Sequence, residues 1–255
     1  MPNAHGSFIW YELLTNDHAA AKRFYDAVVD WEIESQANNP MDYRMIRTGA
    51  GHAGGVMQIN EEMRSHGARP TWLGYIGVDD VDATVARAQQ LGGTVMRPAF
   101  DIADVGRVAM LADPQGAPFY VMRGQSDESS NAFSPGTLGH GAWNELVTSD
   151  LAGAKAFYPD LFGWTLGDAM PMGPAGDYQF IEQDGQMIGA MFASGDREPA
   201  WRFCFKVERL ERSIEALRQG GGELLAGPME VPGGDHIIQA KDPEGAFFML
   251  VEGGQ

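Results

Sequence analysis

Two glutamates, Glu12 and Glu145, are the residues of this chain best placed by type and setting to do chemistry. Each stands in a strand-like run two residues beyond a tryptophan: Trp10-Tyr11-Glu12-Leu13-Leu14 and Trp143-Asn144-Glu145-Leu146-Val147. Successive side chains of a strand point to opposite faces, so each Glu shares a face with its Trp. A carboxylate flanked by Trp, Leu and Val is costly to bury unless it is paired or hydrogen-bonded. Such a group can act as a general base, anchor a cation or bind a metal. It can equally be a structural carboxylate held by backbone amides or by an arginine at the seam between halves.

The histidines offer less. His236, in Gly233-Gly234-Asp235-His236-Ile237, begins the strand before the closing hairpin, and its counterpart in the first half is Arg107. Asp235 would orient it only if the two shared a face, which adjacent strand residues do not. His52 and His66 fall in loop-like sequence, His18 is expected to face outward near a helix start, and His140 precedes the second opening strand. Trp72 and Trp201 read as core or seam residues, and Tyr43 and Tyr178 as core residues or the edge of a cavity. The single cysteine, Cys204, lies in the alternating run Arg202-Phe203-Cys204-Phe205 and reads as buried and inert. Gly49-Ala50-Gly51 lacks the strand-to-helix context of a nucleotide-binding loop.

The elements that must position these residues are written twice. Residues 10–31 and 143–164 align at a constant offset of 133 with eleven identities, so the chain contains a duplication. Each copy runs from a strand through a cap (Asp17; Asp150) into a helix whose buried stripe is Ala21, Phe24, Tyr25 and Val28, or Ala154, Phe157, Tyr158 and Leu161. A short Trp-led strand (Trp31–Ile33; Trp164–Leu166), a Pro-rich loop and two further strands follow. The order then recurs: Trp72–Val78 leads into a helix capped at Asp79-Asp80 and stopped by Gly92-Gly93. Its partner, at an offset of 129, runs from Trp201 to Val207 and into a helix ending at Gly220-Gly221-Gly222. Each half closes on Asp113-Pro114-Gln115-Gly116 or Asp242-Pro243-Glu244-Gly245, which suit a type I turn. Residues 124–138 read as a linker, giving domains at 1–123 and 139–255. The fold class is therefore α+β, a tandem duplication in which each domain holds two βαβββ units. Such units form a curved mixed sheet with helices on the convex side.

At 255 residues the chain accommodates two domains, each large enough to bury a core, and 44% apolar content is that of a globular protein. A balance of 18 basic against 35 acidic residues, net −17, argues against a nucleic-acid or anionic-membrane partner. One cysteine excludes an intramolecular disulfide, and the opening Met1-Pro2-Asn3-Ala4-His5 lacks the basic and apolar regions of a signal peptide, so a cytoplasmic location is expected.

The order and spacing of these motifs resemble the vicinal oxygen chelate superfamily, which includes glyoxalase I, extradiol dioxygenases, and bleomycin- and fosfomycin-resistance proteins. The resemblance covers nearly the whole chain. It implies metal ligands, commonly two His and a Glu, at three places in each half: seven residues before the helix-cap Asp, five before the Val preceding the second helix, and seven after the Asp of Asp-Pro-x-Gly. Here those places hold Trp10, Leu73 and Tyr120 in one half and Trp143, Arg202 and Met249 in the other. A divalent site needs several imidazole or carboxylate ligands, which indole, alkyl, guanidinium and thioether groups do not supply.

The resemblance and the lost ligands together imply a small-molecule binder with an acidic aromatic cavity, similar to bleomycin-resistance proteins. No cofactor is expected. The alternative is a divergent metal-dependent lyase, isomerase or dioxygenase using Glu12 or Glu145 with His52 or His236. Trp10, Glu12, Leu73, Tyr120, Trp143, Glu145, Arg202, Met249 and His236 are the ligand-binding candidates, and no catalytic residue is assigned. The expected partner is a small molecule, with the chain a monomer of paired domains or a homodimer.

Overall fold

In the computed structural model, residues 3–36, 42–193, 195 and 197–253 are described. Pro40, from the loop after the first Trp-led strand, lies outside them. The first half runs β1 (Phe8–Thr15), α1 (His18–Val29), β2 (Glu32–Ile33), β3 (Arg44–Thr48), β4 (Gly51–Gln58), α2 (Glu61–Ser65), β5 (Thr71–Gly77), α3 (Val81–Gln90), β6 (Thr94–Ile102), β7 (Gly106–Ala112) and β8 (Pro118–Gly124). The second runs β9 (Gly141–Thr148), α4 (Leu151–Phe162), β10 (Thr165–Pro171), β11 (Asp177–Gln183), β12 (Gln186–Ala193), β13 (Ala200–Lys206), α5 (Leu210–Gln219), β14 (Glu223–Glu230), β15 (His236–Lys241) and β16 (Phe247–Glu252).

The two halves form two eight-stranded sheets of matching order, β2-β3-β4-β1-β5-β8-β7-β6 and β10-β11-β12-β9-β13-β16-β15-β14. Both are mixed: β1 runs parallel to β4 and β5 to β8, while β3–β4 and β7–β8 are antiparallel, and the second sheet repeats this. The fold expected from the sequence is therefore present.

Local chemistry sets the helix starts. The Asp17 carboxylate accepts from the amides of Ala19 and Ala20 at the head of α1, and Asp150 accepts from Gly153 at the head of α4. Both helices end in a left-handed residue, Asp30 or Gly163. Three details differ from the sequence expectation. The five-residue α2 was not foreseen. His52 lies on β4, because Gly51–Gln58 pairs with β1 and β3. His18 is buried, not outward-facing: its ring lies 3.3 Å from Asp42, and burial lowers its pKa.

Packing does not follow the duplication. The chain divides into two compact units, each drawing on both halves. The first unit holds Gly74–Ser130 and Asn144–Arg202 with the N-terminal residues to Ile9, and the second holds Trp10–Leu73, Asn131–Trp143 and the chain from Phe203.

Each unit is centred on a buried Trp–Tyr–Asp chain. In the second unit Trp72 Nε1 donates to Tyr25 OH (2.9 Å), which donates to Asp242 Oδ2 (3.0 Å). In the first, Trp201 Nε1 donates to Tyr158 OH (3.0 Å), which donates to Asp113 Oδ2 (3.1 Å). The other oxygen of each Asp holds its own turn, taking the amides of Gln115 and Ala117 or of Glu244 and Ala246. Burial pushes both Asp carboxyls above the usual carboxylate range and both tyrosines well above theirs. The repeated Phe-Tyr and Asp-Pro-x-Gly motifs thus meet across halves. Each Tyr hydroxyl from one half finds its acceptor in the other.

Candidate ligand site

The face of the first unit's strands that carries Glu145 is built by close strand approach. β12 lies parallel to β9 with Gly189 opposite Asn144 and Ala190 opposite Glu145. A Cβ on Gly189 would overlap the Asn144 carbonyl oxygen, so only glycine admits this approach. β11 continues antiparallel, setting Phe180 opposite Ala190 and Tyr178 opposite Phe192.

Glu145 is 7% exposed. Tyr178 OH donates to its Oε1 at 3.0 Å, and its Oε2 is buried without a hydrogen-bond partner. The Tyr178 ring centroid lies 5.6 Å from that of Phe180 and 5.7 Å from that of Phe192, and Arg197 sits 5.9 Å over the Phe192 ring. Burial raises the Glu145 pKa. The Tyr178 hydrogen bond and the positive charges of Arg202 and Arg197 pull it down but do not offset burial. Burial likewise lowers the pKa of Arg202, against the pull of Glu145. The site is a desolvated carboxyl with one acceptor oxygen unused, an aromatic flank, and cationic groups near it. A donor brought to that oxygen would meet no competition from water.

The equivalent place in the second unit has a glycine where the first has Ala190. Glu12, 1% exposed, stands opposite Gly55. Gly54 beside it repeats the Gly189 requirement, since a Cβ there would overlap the Tyr11 carbonyl oxygen. The Tyr43 ring lies on Gly55, in space that a Cβ would fill, and its hydroxyl accepts from Trp10 Nε1 at 2.6 Å. Half-buried Trp10 faces the His52 ring at 6.5 Å.

The remaining candidates are engaged in packing or stand elsewhere. Leu73 is buried. Tyr120 is buried and stacks on Tyr75 with centroids 4.3 Å apart and planes at 17°. Met249 lies in an apolar cluster with Cys204 and Val251, and Trp143 and Phe247 pack against it. His236 is at the exposed start of β15, lining a groove beside α5. The structure thus brings Glu145 within the field of Arg202 and Trp143 against Met249. Among the described residues no group of three His, Cys, Asp or Glu side chains is placed to hold a metal. Tyr178 as the partner of Glu145, Arg197, and the Gly55/Ala190 difference were not anticipated as determinants. The recurrence of Asp42-Tyr43 as Asp177-Tyr178 was the one available signal.

The family model of the Glyoxalase/Bleomycin resistance protein/Dioxygenase superfamily matches residues 7–121 and again 137–250. The chain belongs to this superfamily. Among curated relatives of this superfamily member is CFP32 of Mycobacterium bovis, provisionally named a glyoxylase. It is 31% identical over 250 residues, covering 95% of this chain and 93% of that protein. The anthracycline biosynthesis protein DauV of a Streptomyces species is 28% identical over 269 residues, covering 98% and 94%. Solved structures agree in fold. Homoprotocatechuate 2,3-dioxygenase of Brevibacterium fuscum, as its 3,4-dihydroxyphenylacetate complex, superposes with a TM-score of 0.70 at 16% identity, over 100% of this chain and 82% of that one. The 2,3-dioxygenase LapB of Pseudomonas sp. KL28 gives 0.69 at 13%, over 100% and 94%. At these identities the structures speak for the scaffold alone, which hosts many chemistries.

Proposed function

We propose that this protein binds a small organic molecule through Glu145, with Tyr178, Phe180 and Phe192 as the aromatic flank. The observation that carries this reading is the unused Glu145 Oε2, a buried acceptor that only an incoming donor or a proton can satisfy. The sequence points to an acidic aromatic cavity in which Arg202 could neutralise Glu145, leaving Glu12 the freer carboxylate. Arg202 and Arg197 place positive charge near the carboxyl, so a ligand carrying hydroxyl or amine donors on an aromatic body suits the site better than a bare cation. A relative named for anthracycline biosynthesis supports an aromatic ligand of that kind.

The side chains at the superfamily's metal positions do not fit a divalent ion: Tyr120 is stacked on Tyr75 and Met249 lies in an apolar cluster. The second reading, a metal-dependent enzyme, draws on the glyoxylase name of a relative.

Titration with an anthracycline, followed by quenching of tryptophan emission, tests the proposal. Wild-type protein should bind saturably, and Glu145→Gln should bind about tenfold to a hundredfold more weakly while unfolding at nearly the same temperature. Equal affinity in the two proteins would end the assignment to Glu145. A stoichiometric transition-metal signal surviving dialysis would put the enzyme reading in its place.

A further inference from the structure

The second unit carries a groove of about 1050 Å³ that the Glu145 reading does not use. It runs between α5 and the β14–β15 connection. The apolar groups of its floor are Leu210 and Ile214, nearly buried on α5, and the exposed Pro228 on β14. Its two sides are carboxylate rails. Glu211 and Glu215, four residues apart on α5, lie one turn from each other along one side. Glu230 and Asp235 stand on the other. Arg218 is the cation among the α5 side chains that line it. A fifth carboxylate, Glu252, takes the Leu210 amide at 2.7 Å and so holds the head of α5.

A groove of this size accommodates a small organic ligand, and the charge of its walls selects the kind. Two rows of negative charge along an apolar floor complement a chain that alternates ammonium groups with methylene segments. From Glu211 to Glu215 the α5 rail rises by roughly 6 Å, at about 1.5 Å per residue, near the span of one such segment. A compact divalent ion would meet the carboxylates and leave the apolar floor unused. We infer that this groove is a binding site for a linear aliphatic polyamine. The site is separate from Glu145.

Calorimetric titration of the full chain with spermine at low ionic strength provides the test, with magnesium chloride as the compact-cation control. Spermine should bind saturably at one site per chain, and the His236 ring resonances, at the groove wall, should shift with the same midpoint. The double variant Glu215→Gln/Glu230→Gln should bind at least tenfold more weakly. Glu61→Gln/Glu62→Gln, on exposed α2, and Glu145→Gln should bind as wild type does, which separates this site from the one proposed above. Apart from the buried Glu145, these substitutions are at exposed positions, and a circular dichroism spectrum checks each fold. Unsaturable heats, equal displacement by magnesium at matched ionic strength, a loss equal in the α2 variant, or an unmoved His236 would each overturn the inference.

Discussion

Tyr43 and Tyr178 occupy the same place in the two copies and meet different residues on the neighbouring strand. In the second copy, Ala190 opposes Glu145, and the Tyr178 hydroxyl donates to that carboxylate. In the first, Gly55 opposes Glu12, the Tyr43 ring settles into the space its missing Cβ leaves, and the hydroxyl accepts from Trp10. One methyl group separates the residues opposite the two glutamates. Duplication thus preserved the scaffold while the strand neighbour of each glutamate diverged.

The largest expected effect bears on what the copies share. Gly54→Ala and Gly189→Ala would each drive a methyl into a strand carbonyl, where backbone cannot give way. Each should cost more than about 3 kcal/mol, read as a large drop in thermal midpoint or loss of soluble protein. If either variant unfolded like wild type, the close strand approach would be wrong for that copy.

A smaller effect should follow at the position where the copies differ. Gly55→Ala meets only the far end of the Tyr43 side chain, so the ring should swing away at a cost of about 1–2 kcal/mol. The indole N–H resonance of Trp10 should move as its acceptor is displaced. An unshifted Trp10 signal would show that Gly55 does not set the Tyr43 orientation.

The smallest effect concerns pH. Because burial raises the Glu145 pKa in the fold, the native state holds that proton more tightly than the unfolded chain does. Its contribution is fully favourable below the ordinary carboxylate range and falls as pH rises toward the raised value. Glu145→Gln has no such loss. The midpoint of the variant minus that of wild type should therefore be more positive at pH 7 than at pH 4, by about 1–3 °C. Asp113 and Asp242 titrate in both proteins and cancel in the difference. A difference that shrinks as pH rises would mean that Glu145 is stabilised as the anion.

Much of this was legible without coordinates. The capping Asp17 and Asp150, the helical stripes through Phe24-Tyr25 and Phe157-Tyr158, and the Asp-Pro-x-Gly turns act over a few residues, so composition and spacing reveal them. His18 and His52 were misread because burial at a helix start and the reach of a strand into glycine-rich sequence depend on neighbours far along the chain. The partner of Glu145 was equally hidden. It depends on strand register that the sequence does not record.

The sequence by itself determined the duplication, the order of elements, the superfamily, and the absence of His, Cys, Asp or Glu at its usual ligand positions. These follow from local periodicity and from residue identity, which need no third dimension. Only the tertiary structure decided that packing crosses the duplication, with Tyr25 bonded to Asp242 and Tyr158 to Asp113. It also decided that Glu145 keeps an unused acceptor and that His236 faces a groove beside α5. Those facts rest on contacts between residues scores of positions apart, whose geometry is fixed by how whole elements pack, not by what any one stretch prefers.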